Sequence, residues 1–198
     1  MFINRRLRQL NLKIVYYGPA MSGKTTNLIL IHKRANPDVR GELVSLKTNE
    51  DRTIFFDYMQ MELGKIGGLT PNFHLYTVPG QVYYAATRKL VLRGADGVVF
   101  VVDSQAGRLK DNLESWDNMK RHLHELGLEN IPVVVQFNKQ DLPGAAPVPM
   151  LRQFIDVGDY PLFAASAIQG VGVFDTLKAV ITSVLTQVSN QVVSKRPA

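Results

Sequence analysis

Residues 16–27 read YYGPAMSGKTTN and lie between an apolar run at residues 12–17 and a second apolar segment. Gly18, Gly23, Lys24 and Thr25 fit the pattern GxxxxGK[ST], which is typical of phosphate-binding loops. A simple turn between a strand and a helix would also contain glycine, so the match alone leaves two interpretations. The position of the loop after a predicted strand and before a predicted helix favours phosphate binding.

A loop of this kind binds phosphate mainly through its backbone. Its N–H groups point toward the β-phosphate, and the positive end of the following helix dipole attracts the same anion. We expect Lys24 to bridge the β- and γ-phosphates and the Thr25 hydroxyl to bind Mg²⁺. The nucleotide-binding residues predicted in this segment are Gly18, Ser22, Gly23, Lys24, Thr25 and Thr26.

Short apolar runs alternate with amphipathic stretches, which predicts an α/β fold. We expect a three-layer P-loop NTPase fold, with a mostly parallel sheet and helices on both faces. The apolar runs between residues 42 and 78 follow one another without a predicted helix between them. They therefore predict a hairpin that adds one antiparallel edge strand. No linker is recognisable, and residues 1–198 are expected to form a single domain. The predicted strands cover residues 12–17, 42–47, 53–59, 72–78, 97–103, 131–138 and 160–166.

Apolar residues at helical spacing predict two core-facing helices. The first stripe contains Leu109, Leu113, Trp116, Met119, Leu123 and Leu126. The second contains Phe174, Leu177, Ile181, Val184 and Val188. The four histidines do not form a metal cluster in this pattern, and all are expected at the surface or at an interface: His32, His74, His122 and His124.

The composition argues against a disulfide-bonded, a membrane-spanning and a secreted protein. The sequence contains no cysteine, no apolar stretch near the roughly 20 residues of a membrane helix, and no recognisable signal peptide. Phe2 excludes N-myristoylation and the C-terminal SKRPA lacks a prenylation cysteine, so we expect a cytoplasmic protein without a lipid anchor.

The formal net charge is +6, which favours anionic partners in general, although we do not expect nucleic acid among them. Part of this charge lies in short basic extensions at the two ends. We interpret them as solvated charge on frayed termini. The basic residues concerned are Arg5, Arg6 and Arg8 at one end, and Lys195 and Arg196 at the other.

A second motif, NKQD at residues 138–141, follows a strongly apolar strand. Asp141 can accept hydrogen bonds from the ring N–H and the exocyclic amine of guanine, a donor pair that adenine lacks. Asn138 is expected to support the base and its loop, and Lys139 to lay its stem over the ring. A surface turn uses the same residue types, but the segment ASA at residues 165–167 follows the last predicted strand, where a backbone N–H of Ser166 or Ala167 could meet guanine O6. The combination predicts a site for GTP or GDP.

These blocks, in this order, resemble the Ras-like small GTPases and, more narrowly, the bacterial gliding-motility GTPases of the MglA family. The resemblance extends from about residue 3 to about residue 188, and TVPGQ is its most specific string. It implies a GTP-hydrolysing switch in cell polarity or gliding motility that needs Mg²⁺, a roadblock-domain (MglB-like) activating protein, state-specific effectors, and recruitment to a cell pole through partners. The residues that carry it are KIVYYGPAMSGKTTN, DRTIFFDY, FHLYTVPGQVYYAATRKLVLRGADGVVFVVDS, NKQDLP and GVGVFDTLKAV.

The resemblance also implies roles for residues in two switch loops. Thr53 matches the threonine that binds Mg²⁺ and closes over the γ-phosphate, and Gly80 matches the glycine that contacts it from the other side. Gln81 occupies the position of the residue that orients the attacking water. Arg52 resembles an intrinsic arginine finger, whose charge would stabilise the transition state of phosphoryl transfer.

One position departs from the usual Ras-like pattern. Thr77 stands where an aspartate normally holds Mg²⁺ through water, three residues before Gly80. Asp57 and Asp103 are the candidate replacements. Asp57 has an alternative as a solvent-facing residue of a hairpin, and for Asp103 we favour the role of a turn or helix N-cap acid.

Two other functions share part of this pattern. A P-loop phosphotransferase would have the same phosphate loop, but it would need an arginine-bearing lid and would not need NKQD. A nucleotide-binding scaffold with little turnover is hinted at by Thr77, while the presence of Gln81, Arg52 and Thr53 argues against it.

Overall fold

The fold is built on one sheet, which contains eight strands within the part of the chain that this computed structural model describes, residues 1–47, 53–65, 68–81 and 84–194. The strands are β1 (Phe2–Asn4), β2 (Gln9–Tyr17), β3 (Val44–Lys47), β4 (Thr53–Glu62), β5 (Thr70–Thr77), β6 (Gly97–Asp103), β7 (Val133–Asn138) and β8 (Leu162–Ala164). The helices are α1 (Lys24–Arg34), α2 (Ala85–Leu92), α3 (Leu109–Glu125), α4 (Val148–Phe154) and α5 (Val173–Ser194).

The strand order is β3-β4-β5-β2-β6-β7-β8, and β1 pairs with β2 outside this path. The five strands from β5 to β8 in this order are parallel, whereas β3 and β4 run antiparallel at one edge. This topology confirms the predicted α/β class with a mostly parallel sheet and an antiparallel edge. Two details go beyond the prediction: the antiparallel edge has two strands, and β1 adds a further antiparallel pair.

The sequence pattern missed the beginning of β2. The strand starts at Gln9, because polar residues alternate there with the buried Leu10 and Leu12. Side chains of a strand point to its two faces in turn, so this segment is apolar on one face only. A continuous apolar run is typical of a strand that is covered on both faces. Only the second part of β2 has such a run, so the sequence pattern predicted only that part.

The same alternation divides the core into two layers, one on each side of the sheet. Leu12, Ile14 and Tyr16 of β2 pack in a cluster with residues of α1 and α5. Val15 and Tyr17 pack in the other cluster, which includes residues of α2, α3 and α4. Burial of each large apolar side chain contributes roughly 1.5–3 kcal/mol, so both helical layers are bound firmly to the sheet.

The two predicted helical stripes lie in the core with one exception. In α3, Trp116, Met119 and Leu123 are buried, and the other members of the stripe pack against the same cluster. In α5, Phe174 is 37% exposed, and the preceding Val173 is fully buried instead. The prediction was wrong for Phe174, which lies at the edge of the stripe, one residue around the helix from Val173. Within the described ranges, the length and apolar character needed to cross a membrane are found in none of the helices.

Candidate nucleotide-binding site

The carboxyl ends of β2, β6 and β7 meet at one edge of the sheet, which is where open α/β sheets bind ligands. Residues 18–23 connect β2 to α1 at this edge. Asp103 and Asn138 end β6 and β7 and are paired in register. Residues 165–167 follow β8 beside them. The topology therefore brings the phosphate loop, the NKQD segment and the ASA segment to one place.

Close backbone approach explains both glycines of the phosphate loop. Gly18 and Gly23 have φ angles of 142° and 100°, a region that residues with a side chain rarely adopt. A Cβ on Gly18 would lie 2.3 Å from the carbonyl oxygen of Val101, and a Cβ on Gly23 would lie 2.2 Å from Nδ2 of Asn138. The loop is thus held against β6 and β7 at the two positions where the motif requires glycine.

Lys24 is buried and turns back onto its own loop. Its Nζ donates to the carbonyl oxygens of Gly18 (2.9 Å) and Pro19 (2.7 Å). Burial, followed by the nearby positive charge of Arg88, lowers the pKa of Lys24 to about 7. A phosphate beside this ammonium group would offset its desolvation, because an opposite charge at short distance favours the charged form.

Ser22 supplies another polar group that suits an anion. Its side chain is fully buried, and Oγ has no hydrogen-bond partner among the residues that the structure describes. A buried hydroxyl without a partner is costly, so an oxygen-rich ligand at this loop would satisfy it.

Asn138 connects the phosphate loop to the loop after β8. Its Nδ2 donates to the carbonyl oxygen of Ser22 (2.7 Å), and its Oδ1 accepts from the N–H of Ala167 (2.8 Å). Ser166 also uses its N–H within the protein, as a donor to the carbonyl oxygen of Val171. The expected contact of either N–H with guanine O6 therefore competes with a hydrogen bond that the same N–H donates within the protein.

A cavity of about 230 Å³ opens between these loops. Asp141 lies in its wall, together with Thr26 and Asn138. This volume is below the roughly 300–1,000 Å³ of sites for drug-sized ligands and suits a single base. Lys139 has a left-handed backbone (φ 69°), and its Nζ donates to Asp103 Oδ2 (2.8 Å) and Gln105 Oε1 (2.7 Å), which fixes its stem at the edge of the cavity.

Asp57 is fully buried beside the phosphate loop, so the expectation of a possible solvent-facing position is wrong. Its carboxylate accepts hydrogen bonds from the hydroxyls of Thr25 (2.5 Å), Thr77 (2.7 Å) and Ser45. Thr77, the residue that replaces the usual aspartate, also accepts from the N–H of Asp57 (2.8 Å). The carboxylate that contacts Thr25 thus comes from β4, the strand next to β5, where Thr77 replaces the usual aspartate.

Asp103 has the role of a turn acid that the sequence favoured. Its Oδ1 accepts from the N–H of Gln105 (3.1 Å), and its Oδ2 lies 2.8 Å from Nζ of Lys139 and 3.4 Å from Nε of Arg108. Both carboxylate oxygens of Asp103 therefore accept hydrogen bonds, Oδ1 from a turn N–H and Oδ2 from two cations.

The second switch segment lies directly on the phosphate loop. A Cβ on Gly80 would be 2.3 Å from the backbone N of Ala20, so only glycine fits there. Gln81 follows and borders a cavity of about 320 Å³ beside the same loop. The backbone of Thr53 begins β4, but its side chain and all of Arg52 lie outside the described residues.

Comparison with known proteins identifies the family. Residues 11–186 match the family described as Elongation factor Tu GTP binding domain. Over 188 residues the chain is 52% identical to the Mutual gliding-motility protein MglA of Myxococcus xanthus (strain DK1622), and the match covers 94% of this chain and 96% of that protein. The chain belongs to the MglA family of small GTPases. It is accordingly a GTP-binding protein with GTP hydrolase activity, and neither the phosphotransferase nor the scaffold alternative is favoured.

More distant relatives extend the same picture. The chain is 25% identical over 181 residues to the Ypt/Rab-type GTPase YPT7 of Saccharomyces cerevisiae, covering 89% of this chain and 82% of that protein. A solved structure of the Arl6 BBS3 small GTPase from Trypanosoma brucei, with the bound nucleotide analogue GppNp, superposes with a TM-score of 0.68 at 23% identity. It covers 90% of this chain and 99% of that one, which supports the fold.

Sequence reasoning missed Arg88, a buried cation of this MglA-family chain. Its Nη1 donates to the carbonyl oxygen of Gln81 (2.5 Å) and its Nε to the hydroxyl of Tyr17 (3.0 Å). Because Tyr17 accepts from Arg88, its own proton can be donated to Nδ1 of His122, 3.2 Å away. In the sequence, the arginine of RKL lies in an amphipathic helix, where a buried arginine cannot be distinguished from a solvated one.

His122 corrects another expectation, since it is buried on α3 and not at the surface. The three side chains form a chain of hydrogen bonds from α3 through β2 to the residue that follows Gly80. The backbone of Gln81 is therefore positioned by groups in the protein interior.

A second buried network joins the phosphate-loop helix to the base side of the site. Asn27 and Gln136 exchange two amide hydrogen bonds (2.8 and 3.0 Å), and Gln136 also donates to Thr176 of α5 (3.1 Å). All three side chains are fully buried. The signal for this network is visible in VVVQFN, where a glutamine interrupts an apolar strand.

We predict that His122 makes stability depend on pH. Burial, followed by the charge of Arg88, lowers the pKa of His122 below its ordinary value. The unfolded chain then binds a proton before the folded protein does, so stability is lost as the pH falls below about 6.5. Chemical denaturation with saturating GDP at pH 7 and pH 5 should show a larger loss for the wild-type protein than for His122→Asn. An equal loss of stability in both proteins would contradict this role. So would an equally reduced loss in a variant of the exposed His124 on the same helix.

Proposed function

We propose that this protein is a guanine-nucleotide switch in cell polarity or gliding motility, formed by residues 1–198 as one GTPase unit. The observation that carries the proposal is the bridge made by Asn138, which joins the phosphate loop to the loop beside Asp141. A nucleotide can extend from one to the other along the same sheet edge. The biological role is supported by similarity to a protein named for gliding motility.

In this proposal, phosphates bind at the loop and guanine binds in the cavity beside it. The Asp141 carboxylate accepts the two N–H donors of guanine, and adenine would leave that carboxylate without partners. The proposed nucleotide-binding residues are Gly18, Ser22, Gly23, Lys24, Thr25, Thr26, Thr53, Gly80, Asn138, Lys139, Asp141, Ser166 and Ala167.

Mg²⁺ is the proposed cofactor. Hydroxyl and carboxylate oxygens are ligands that suit this hard cation, and the structure brings such groups together at Thr25 and Asp57. Thr25 and Thr53 would bind the ion, and Asp57 would supply the carboxylate that Thr77 cannot. When bound, Mg²⁺ would neutralise charge on the phosphates.

The proposed catalytic groups are Gln81, Arg52 and Lys24. Gln81 orients the attacking water, while the cations of Arg52 and Lys24 stabilise charge that develops on the transferred phosphoryl group. Hydrolysis is slow unaided because Gln81 and Arg52 need to be positioned. We infer that a roadblock-domain (MglB-like) partner positions them, that effectors bind one nucleotide state, and that partners recruit the protein to a cell pole.

We predict that Asp141→Asn weakens GTP binding by about 2–3 kcal/mol, roughly 30- to 150-fold, because a charge-assisted hydrogen-bond pair is lost. The amide should instead favour xanthine nucleotides, whose base presents an acceptor in place of the amine. Isothermal titration of GTP and XTP measures both effects. Asp159→Asn, in an exposed segment before β8, is the control. Unchanged GTP affinity in Asp141→Asn would remove the proposed base recognition.

We predict that Asp57→Asn lowers the affinity for Mg²⁺ roughly 10- to 100-fold. GDP should then dissociate from the variant in Mg²⁺ buffer almost as fast as it leaves the wild-type protein in EDTA. Ser45→Ala, which removes one hydrogen bond to Asp57 but no carboxylate, should stay close to wild type. Release of a fluorescent GDP analogue gives these rates. A variant that keeps the wild-type response to EDTA would exclude Asp57 from the metal site.

We predict that Gln81→Ala and Arg52→Ala each reduce activator-stimulated hydrolysis by roughly 10³-fold or more, with GTP affinity nearly unchanged. Phosphate release with and without a roadblock-domain partner is the measurement. Gln153→Ala, on the exposed side of α4, is the control and should retain stimulation. A normal stimulated rate in either variant would discard the catalytic role of that residue.

A further inference from the structure

The amino-terminal segment is part of the sheet. Phe2, Ile3 and Asn4 of β1 are paired in antiparallel register with Asn11, Leu10 and Gln9 of β2. We call residues 1–11 the N-terminal hairpin. The expectation of a frayed, solvated amino terminus was therefore wrong, because backbone pairing with β2 fixes the segment.

The turn of the N-terminal hairpin is also fixed. The side-chain oxygen of Asn4 accepts from the N–H of Leu7 (3.1 Å), and Arg8 adopts a left-handed backbone (φ 51°). The carbonyl oxygen of Arg8 accepts from the N–H of Thr70 on β5 (2.8 Å). The turn residues 5–8, which we call the tip, thus occupy defined positions on the surface.

The tip combines three cations with the apolar side chain of Leu7. Arg5, Arg6 and Arg8 are all exposed. Leu7 is 60% exposed, and Phe2, at the start of β1, is 66% exposed. Guanidinium groups beside exposed apolar groups are the chemistry by which peripheral proteins bind anionic membrane surfaces.

The N-terminal hairpin lies at the end of the sheet opposite the nucleotide site. It joins the first residues of β2, whereas the phosphate loop follows Tyr17 at the other end of that strand, roughly 25 Å away at about 3.3 Å per residue. A surface bound to the tip leaves the nucleotide loops accessible to other proteins.

Further positive charge lies near the N-terminal hairpin. Lys13 is on β2, and its Nζ donates to the backbone of Arg93, an exposed residue after α2. Asp96 is the acidic neighbour, and it forms an ion pair with the amino group of Met1 (2.5 Å). Met1 and Gln191 of α5 border one groove, so α5 ends close to the hairpin. The local charge is therefore complementary to an anionic partner.

We propose that the N-terminal hairpin docks this protein reversibly on the anionic surface of a lipid bilayer. Arg5, Arg6 and Arg8 contact lipid phosphates, and Leu7 enters the headgroup region. A fluid bilayer can surround a small convex tip. A stable interface between two folded proteins buries roughly 1,000 Å² or more and suits a broad surface better than a projecting turn, which favours lipid as the occupant.

Flotation of the full chain bound to GDP tests this docking. The wild-type protein should float with phosphatidylcholine vesicles that contain about one-third phosphatidylglycerol, fail to float with pure phosphatidylcholine, and be released by about 1 M salt. The variant R5Q/R6Q should bind roughly thirtyfold more weakly, because each basic residue near an anionic surface contributes a factor of about five. Leu7→Ser should also weaken binding at constant charge.

The matched control is R152Q/K178Q, which removes the same charge from exposed positions of α4 and α5 and should bind within about twofold of wild type. The hairpin variants should retain wild-type GDP affinity, since they lie far from the site. The proposal is overturned if the wild-type protein does not float with anionic vesicles. It is equally overturned if R152Q/K178Q loses as much binding as R5Q/R6Q, or if both R5Q/R6Q and Leu7→Ser bind like wild type. Binding to an acidic polypeptide without binding to vesicles would assign the tip to a protein partner instead.

Discussion

The amide side chain of Asn138 sets the geometry on which the nucleotide site depends. Both of its polar ends form hydrogen bonds, one to the carbonyl of Ser22 and one to the N–H of Ala167. Since buried amide groups need partners, the two loops are held at a fixed spacing. Gln136 lies two residues earlier on the same face of β7 and fixes α1 and α5 in the same way. One strand thus positions the phosphate side and the base side together.

The site also keeps several charges out of water. Lys24, Arg88, Asp57 and Asp103 are each no more than 6% exposed. Buried charges reduce stability unless opposite charges and hydrogen bonds compensate them. Asp103 and Asp57 are well supplied with donors. Within the described residues, Lys24 donates to the backbone carbonyls of Gly18 and Pro19, and burial, followed by the charge of Arg88, lowers its pKa. The triphosphate and Mg²⁺ of the proposed function are the partners that this charge distribution suits.

The two ends of the sheet have different physical character. At the carboxyl end, Gly80 touches the phosphate loop, and the backbone of Gln81 is held through Arg88 and Tyr17 to α3. In the proposed function, a change at the γ-phosphate would therefore act on a backbone that is hydrogen-bonded to the interior. At the amino end, the N-terminal hairpin is exposed, basic and partly apolar. Separation of these surfaces would allow the proposed nucleotide-dependent partners and the proposed membrane contact to be bound at the same time.

The sequence by itself determined the α/β fold class, the phosphate loop and the NKQD segment, because each rests on local pattern: continuous apolar strands, glycines at a bend, and polar residues directly after a strand. Only the tertiary structure decided which distant groups meet. It moved Asp57 from a possible solvent face to the side of Thr25, buried His122 and Arg88, exposed Phe174, and paired β1 with β2. The physical reason is that a side chain's burial and partners depend on which face of a strand or helix its neighbours cover. Sequence periodicity alone does not specify those neighbours.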